Sequence, residues 1–378
     1  MKFKAACRTV FAALGLGLSA AASAAIQFGP VVNYPTGADI GPGPAPQGGV
    51  AADFNNDGRP DVILINWLGF GLIEELNQGN GVFKHVALPS ELWGQGLATA
   101  DLNNDGNPDL VVTTLTDVVV LLGRGDGTFT ELERHPFIIG AQEQTVIVDL
   151  NHDGILDLVT ITLRGLGGIK VFLGTGGGHF VSGPFTSVVG AISAVAVANL
   201  NGDSIPDLAV LSATSLGLVP VSSVVSLMGN GDGTFRTASR KSFKGIISED
   251  IATGDINGDG IDDVVTGDSF SFTISVLLSD GNGNFNQIKT LNGKLGPVSI
   301  SLTDLDGDGK LDIVEAVVVN PVVQVFPGLG HGQFGPPLVL RVTPFPQTPI
   351  LADFFGHHKL DMAVGGPFRM SVMENLSH

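Results

Sequence analysis

The stretch DFNNDGRPD, Asp53 to Asp61, returns six times along the chain: DLNNDGNPD from Asp101, DLNHDGILD from Asp149, NLNGDSIPD from Asn199, DINGDGIDD from Asp255, DLDGDGKLD from Asp304 and DFFGHHKLD from Asp353. The starts are separated by 48, 48, 50, 56, 49 and 49 residues. A period this regular is the mark of a repeat architecture, and it takes precedence over any local reading. Between these copies runs a second element with the same period: LLGRGDGTF ending at Phe129, FLGTGGGHF at Phe180, LMGNGDGTF at Phe235 and LLSDGNGNF at Phe285, with weaker copies ending at Phe83 and Phe334. Each is a Gly- and Asx-rich turn between apolar or alternating runs, the pattern of a β-hairpin.

One unit therefore reads as four strands. In the second unit these are Ala98 to Leu102, Asp109 to Thr114, Val118 to Leu122 and Phe129 to His135. Four short strands in about 50 residues, seven times over, expose two apolar faces per unit, and each unit must stack on its neighbours. The expected fold class is all-β, a seven-bladed β-propeller of four-stranded blades. The blades are placed at about 47–90, 95–137, 142–188, 191–243, 248–291, 297–341 and 347–376. The last unit stops at Glu374-Asn375-Leu376, before its fourth strand, while Ile26-Gln27-Phe28-Gly29 resembles the missing piece. Residues 26–34 are thus expected to complete the last blade and close the ring.

These motifs, covering essentially all of the chain after residue 25, resemble FG-GAP/VCBS repeats and are similar to the propeller head of integrin α subunits. The resemblance implies calcium in the loop between the innermost strand and the second. It is specific for architecture and weak for activity, since such repeats occur in adhesins, lectins and a few enzymes.

The chemistry of the loop points the same way. Asp or Asn at positions one, three and five sets three oxygens on one side of a tight turn, Gly at six permits the turn, position seven offers its carbonyl, and Asp at nine closes the shell. The donors are Asp53, Asn55, Asp57, Arg59 and Asp61 in the first copy, and Asp101, Asn103, Asp105, Asn107 and Asp109 in the second. They are Asp149, Asn151, Asp153, Ile155 and Asp157 in the third, Asp255, Asn257, Asp259, Ile261 and Asp263 in the fifth, and Asp304, Asp306, Asp308, Lys310 and Asp312 in the sixth. All-oxygen donors in a flexible cage suit Ca2+, and the sequence shows no clustered His or Cys of the kind zinc needs. The fourth copy (Asn199, Asn201, Asp203, Asp207) opens on Asn and has Ser204 in place of Gly, which makes it a weaker sixth site. The seventh puts Phe355 and His357 at ligand positions, so no metal is expected there, and His357 and His358 read as exposed loop residues. The competing reading is a plain Asx-stabilised turn. Such a turn needs no carboxylate at position nine, and the recurrence of that carboxylate favours the metal.

Composition is consistent with this picture. The chain has 378 residues, 53 Gly, 21 Pro, 43% hydrophobic and only 15% charged residues, which disfavours both long helices and disorder. Residues 1–25 read as a signal peptide: Lys2, Lys4 and Arg8 precede an apolar run from Val10 to Ala22, and Ala22-Ser23-Ala24 offers a cleavage site. The run is too short to span a bilayer. Export to the periplasm or the medium is expected. The one cysteine, Cys7, lies within this leader, so the remainder, read as a single domain over 26–378, has no disulfide. Without the leader's cations, 16 Lys and Arg face 37 Asp and Glu, a net charge near −21. Such a surface repels nucleic acid and anionic lipid, and five or six Ca2+ would halve its charge.

Other residues stand out less sharply. Arg124-Gly125-Asp126 spells a known adhesion tripeptide, yet the neighbouring copy reads Asn230-Gly231-Asp232, so a repeat consensus accounts for it. Trp67, Phe70 and Trp93 fall by strand alternation on the face opposite the acidic loops, where aromatics can stack on a sugar or anchor a protein. They can equally fill space between blades. Arg236, Arg240, Lys241 and Lys244 read as a charged edge that discourages strand pairing. Glu315 stands mid-strand where other copies have Leu, Val or Thr, and reads as solvent-reaching or locally hydrogen-bonded.

Three functional readings follow. The first is an exported calcium-binding propeller acting as a binding or adhesion module for a protein or cell-surface ligand. The second is lectin-like carbohydrate recognition through the Trp67, Phe70 and Trp93 face. The third is a polysaccharide-active lyase or hydrolase. It has the least support, because no nucleophile elbow, HExxH motif or phosphate-binding loop is found.

Overall fold

The computed structural model describes residues 25–36, 48–65, 71–88, 92, 94–114, 116–136, 141–162, 167–216, 219–243, 248–293, 297–317, 320–366 and 369–377. Among them only strands, turns and bends occur. Seven four-stranded antiparallel sheets, six of them in chain order and one that takes in the N-terminal strand, form the blades of a propeller. The second blade comprises Gly94–Ala100, Asp109–Thr114, Asp117–Gly123 and Phe129–Pro136. Its first strand begins earlier than Ala98 and ends before Leu102, because Asp101 opens the loop and the Leu102 amide turns away from the ladder to donate to Asp109 Oδ2.

The ring closes on its own ends. Pro349–Ala352, Asp361–Gly366 and Arg369–Met373 supply three strands of the seventh blade, and Val32–Pro35 pairs with the third of them as its outer strand. Phe28 bridges Asn375, Gly29 N donates to Glu374 O at 2.8 Å, and Leu376 N donates to Gln27 O at 2.7 Å.

No single core fills the molecule; seven apolar layers lie between successive blades. Val62, Leu64 and Ile73 of the first blade meet Ile350, Met370 and Val372 of the seventh, and Ile63 and Ile65 on the other side of the same strand meet Leu110 and Val112 of the second. Both faces of the two middle strands are therefore covered, which is why Val62-Ile63-Leu64-Ile65 reads as an unbroken apolar run. Outer strands, such as Phe129–Pro136, are half-buried and alternate.

The second repeated element locks each blade to the one before it. The amide of Gly127, in the turn between third and fourth strands, donates to Phe54 O at 2.9 Å, and Gly178 N donates to Leu102 O at 3.1 Å. Both glycines have positive φ, 79° and 80°, where a side chain would strain the backbone. The Phe that follows packs on the same neighbour: Phe129 meets Phe54 edge-on at 5.6 Å, and Phe83 meets Phe354 at 5.5 Å. The sixth blade keeps this lock, with Gly332 N donating to Ile256 O at 3.3 Å, but differs in its strands, since Phe334 ends a short ribbon with Gly328–Gly330 and the outer strand starts only at Leu338. Pro336 and Pro337 lie between them and have no N–H to offer the ladder.

Strand alternation sorts the connections into two faces. The acidic loops and the Gly-rich turns share one end of the ring; the second-to-third strand turns and the links between blades share the other.

Candidate metal centre

In the intact loops the first, third and fifth side chains fold inward around backbone amides. Asp53 accepts from Asp57 N and Gly58 N, Asn55 Oδ1 accepts from Asp57 N, and Asp57 Oδ1 accepts from Arg59 N, at 2.7–3.1 Å. The same bonds recur in the loop of Asp101 and, in large part, in those of Asp149, Asp255 and Asp304. Most of these oxygens accept one such bond and keep a second lone pair free, Asp255 Oδ1 and Asp304 Oδ1 accepting two, so an Asx turn and a cation cage are compatible in one loop.

Position nine has another use, which corrects the inference drawn from its recurrence. Asp157 is fully buried; its Oδ2 accepts from Leu150 N at 2.9 Å and its Oδ1 from Gly174 N at 2.8 Å. The same pair of bonds, to the loop's second residue and to the end of the third strand, is made by Asp61, Asp109, Asp207, Asp263 and Asp312. Asp361, in the copy with no other intact donors, makes its counterpart with Phe355 N and Asn375 N. The ninth carboxylate is thus a staple for two buried amides, present in all seven blades, and a turn of this geometry does need it. Burial pushes these carboxyls up, Asp61 and Asp312 to about 6 and Asp263 to about 7, against the pull of the amides.

The donor set nevertheless fits a hard divalent cation. Carboxylate atoms of Asp304, Asp306 and Asp312 lie within 4.8 Å of one another, and Asp149 Oδ1 is buried with no hydrogen-bond partner. Such an orphaned anionic oxygen is costly unless a cation faces it. Two loops also hold a cation of their own: Arg59 pairs with Asp57, and Lys310 Nζ lies 2.5 Å from Asp308 Oδ2. The fourth loop departs from the rest. Gly202, at its fourth position, donates to Asn199 Oδ1 as Gly258 does to Asp255 and Gly307 to Asp304, but here Asn199 N also donates to Asp262 Oδ2 of the next blade at 2.7 Å.

The seventh loop has Phe355 and His357 in place of two oxygen donors, yet Asp353, His357 and Asp361 present atoms that all lie within 4.8 Å of one another, a group that could hold a metal ion although none was expected there. His358 is exposed as expected, whereas His357 is not an exposed loop residue: it is tucked among Asp353, Asp361 and Glu374. Histidines also cluster elsewhere, contrary to the reading of the sequence. His135 Nε2 and His179 Nδ1 flank Glu133 at 2.7 and 2.8 Å, and Phe180 N donates to the same carboxylate, joining the second blade to the third. Residues 46 apart along the chain give no local signal for this contact.

Among the described residues three buried glutamates lie outside the loops, in strands. Glu74 faces the second blade with neither oxygen partnered, Glu75 faces the seventh beside His85, and Glu315 accepts from Gln324 at 2.5 Å with its other oxygen against Gly293. Glu315 is locally hydrogen-bonded but does not reach solvent. Burial pushes Glu74 up to about 7, helped by the charges of Asp61 and Asp126, Glu75 to about 8, and Glu315 to about 7. Raised in the fold, these groups favour it fully below the ordinary glutamate value of 4.5 and cost stability as pH rises through 7 to 8. Glu74→Gln with Glu315→Gln is expected to melt at least ~2 °C above the parent at pH 8.5 and level with it at pH 4.5. Equal melting at both pH values would show that neither carboxylate is strained.

The tripeptide Arg124-Gly125-Asp126 behaves as a repeat turn: Asp126 Oδ1 accepts from Thr128 N and Oγ1, as Asp232 does from Thr234. Of the cationic edge, Arg240 binds Val189 O, and Lys244 lies outside the described residues. Trp67, Phe70 and Trp93 also lie outside them. On the face opposite the acidic loops, however, the described residues include an aromatic turn that the sequence reading passed over. Phe270 is 60% exposed and Phe272 40% exposed, with Val189 and Phe345 also exposed on that side. The turn is clamped by buried Asp268, whose Oδ1 accepts from Phe270 N, Ser271 N and Ser271 Oγ, while Phe272 N donates to Asp268 O and Gly293 N to Phe272 O. Phe272 is held at φ 58°, a left-handed conformation that a bulky residue adopts only under constraint. A cavity of about 520 Å3 near the ring axis is lined by Thr99, Gln144, Val146, Val197, Thr253 and Ser301 among others, with no titratable side chain in its lining. Among the described residues no helix is long and apolar enough to cross a membrane.

Comparison with known proteins bears on the repeats and on the fold. A family model described as FG-GAP-like repeat matches residues 53–112, 101–160, 149–210 and 255–315. No curated protein matches the chain in sequence. Among solved structures, BBS1N in complex with ARL6DN superposes with a TM-score of 0.65 at 9% identity, covering 92% of this chain and 96% of that one. A lectin from Agrocybe aegerita that recognises non-reducing terminal N-acetylglucosamine superposes with a TM-score of 0.54 at 19% identity, covering 88% and 92%. At such identities the likeness shows the fold alone.

Proposed function

Because the chain belongs to the FG-GAP-like repeat family, we propose that it is an exported, calcium-stabilised propeller that serves as a binding module, taking a protein or glycan ligand on the face opposite its acidic loops. The observation that carries this reading is the Asp268 turn. Two phenylalanines are held outward by a buried carboxylate, and one of them is kept in a strained backbone conformation. Apolar rings fixed in this way lose little freedom when a partner covers them, and strain retained on a surface needs a compensating use.

In this reading Asp53, Asp101, Asp149, Asp255 and Asp304, with the third, fifth and ninth side chains of their loops and the carbonyls at position seven, hold five Ca2+. The loop of Asn199 holds a weaker sixth. The ions screen the acidic face and brace the loops that hold them; the chain's own residues make the ligand contacts. Residues 1–25 direct export.

Phe272→Gly is expected to leave the melting temperature unchanged or raise it, since glycine relieves the positive φ, while combined with Phe270→Ser it weakens ligand binding at least ~10-fold. The check is a glycan array and a panel of cell-surface proteins probed with the chain from Ile26, followed by the double variant on whatever binds. A variant that binds as well as the parent would remove the ligand site from this turn.

A further inference from the structure

We propose that the loop of the ring-closing blade is a mixed nitrogen and oxygen metal site, in which His357, Asp361, Asp353 and Glu374 take a divalent transition-metal ion, with Zn2+ the best match to the donors. The site is separate from the all-oxygen loops, and it does not rest on the calcium reading above.

The seventh copy puts His357 at position five, where each of the other six has Asp. A ring nitrogen of His357, an oxygen of Asp353 and an oxygen of Asp361 all lie within 4.8 Å of one another. Nε2 is 3.2 Å from Asp361 Oδ1 and 3.7 Å from Glu374 Oε1. Donors bonded at about 2.0–2.1 Å to a tetrahedral ion stand roughly 3.4 Å apart, so these separations need little adjustment to receive one. A second observation points to a ligand: both nitrogens of the His357 ring are buried and have no hydrogen-bond partner, although carboxylates from the start of the loop, the head of the second strand and the end of the third surround them. Polar atoms buried in this way are costly until something positive meets them. Asp361 is fully buried as well; its Oδ1 accepts one bond, from Asn375 N at 2.7 Å, and keeps a second lone pair.

The donors are held in place by the chain itself. Phe355 stacks on the His357 ring at 6.1 Å and 9°, and Phe355 in turn fits against Gly81 of the first blade, where a Cβ would fall 2.2 Å from its Cζ. Asp353 is fixed by the amides of Gly356, His357 and His358. Lys359 does not compete for the carboxylates, since its Nζ goes to Ser377 O. Asp353, His357 and Glu374 are each partly exposed, which leaves a path from solvent. An ion here would tie the loop to the strand ends on which the ring closes, because Glu374 O accepts from Gly29 N and Phe28 bridges Asn375. Imidazole nitrogen selects zinc and its transition-metal neighbours, whereas Ca2+ takes oxygen donors, so the seventh loop differs from the others in the metal it prefers.

The test is calorimetric titration of Zn2+ into the untagged protein in saturating Ca2+. One tight site per chain is expected; His357→Gln and Glu374→Gln each weaken it at least ~10-fold, while His179→Gln, which alters the other histidine and carboxylate cluster at Glu133, leaves it unchanged. Glu374 is a half-exposed position whose replacement spares the core, and Co2+ in place of Zn2+ reports tetrahedral ligation in the parent by its visible absorption, so the result does not depend on the folding of a single variant. No saturable Zn2+ binding in the parent would overturn the proposal, as would binding that His357→Gln leaves intact or that His179→Gln removes. Zn2+ binding abolished by Ca2+ would overturn it too, by placing the ion in an oxygen loop. The calcium reading stands or falls separately, on a count of bound Ca2+ without Zn2+.

Discussion

Asp157→Ala is expected to destabilise the chain by roughly 3–5 kcal/mol even in chelator, enough to leave much of it unfolded at 37 °C. The carboxylate is fully buried and accepts charge-assisted bonds from Leu150 N and Gly174 N, so its removal strands two amides that neither water nor another side chain can reach. It also frees the acidic loop from the end of the third strand. Asp157→Asn keeps one acceptor and turns an N–H toward an N–H at the other, so an intermediate loss is expected. The same substitution at Asp361 tests the staple in a loop whose third and fifth positions, Phe355 and His357, lack the oxygen donors of the other copies; its cost should depend little on Ca2+. Urea unfolding of the variants measures the loss. A cost below ~1 kcal/mol in chelator would mean that the ninth carboxylate is there for an ion alone.

Removing divalent metal is the second large perturbation. At 1 mM Ca2+ and a dissociation constant of about 10⁻⁴ M, each site contributes about 1.4 kcal/mol by mass action, so five independent sites contribute about 7 kcal/mol. Chelation is then expected to lower the melting temperature by on the order of 10 °C. General screening of the net negative charge would be matched by NaCl at equal ionic strength, whereas a fitted oxygen cage would not. If NaCl or Mg2+ restores the full melting temperature, the loops are turns and the effect is charge repulsion.

The architecture was legible because its signals are periodic. The recurrence of Asp53 to Asp61 and of the Gly-rich turns defined the unit, and the truncated seventh copy pointed to closure by the N-terminal segment, as the pairing of Val32–Pro35 with Arg369–Met373 shows. What the sequence could not display were contacts between repeats. The hydrogen bond from Gly127 N to Phe54 O explains a recurring glycine of the repeat that hairpin chemistry alone would also predict. Likewise, the role of Asp157 depends on a partner on the third strand, 17 residues on. His357 was misread as surface for a related reason: Glu374 comes back to it from the end of the last blade. Phe270 and Phe272 were passed over because nothing in SFSF distinguishes a displayed turn from a covered one; only the buried Asp268 beneath it does.

Equilibrium dialysis of the chain from Ile26 against radioactive Ca2+ at millimolar concentration counts the bound ions directly. Five sites, with a sixth filling at higher concentration and none lost in Phe355→Ala or His357→Gln, is the result expected if the acidic loops are cation cages. No saturable binding, or binding unchanged when Asp149 and Asp153 are replaced by serine, would contradict it and leave seven stapled turns in a propeller that needs no metal.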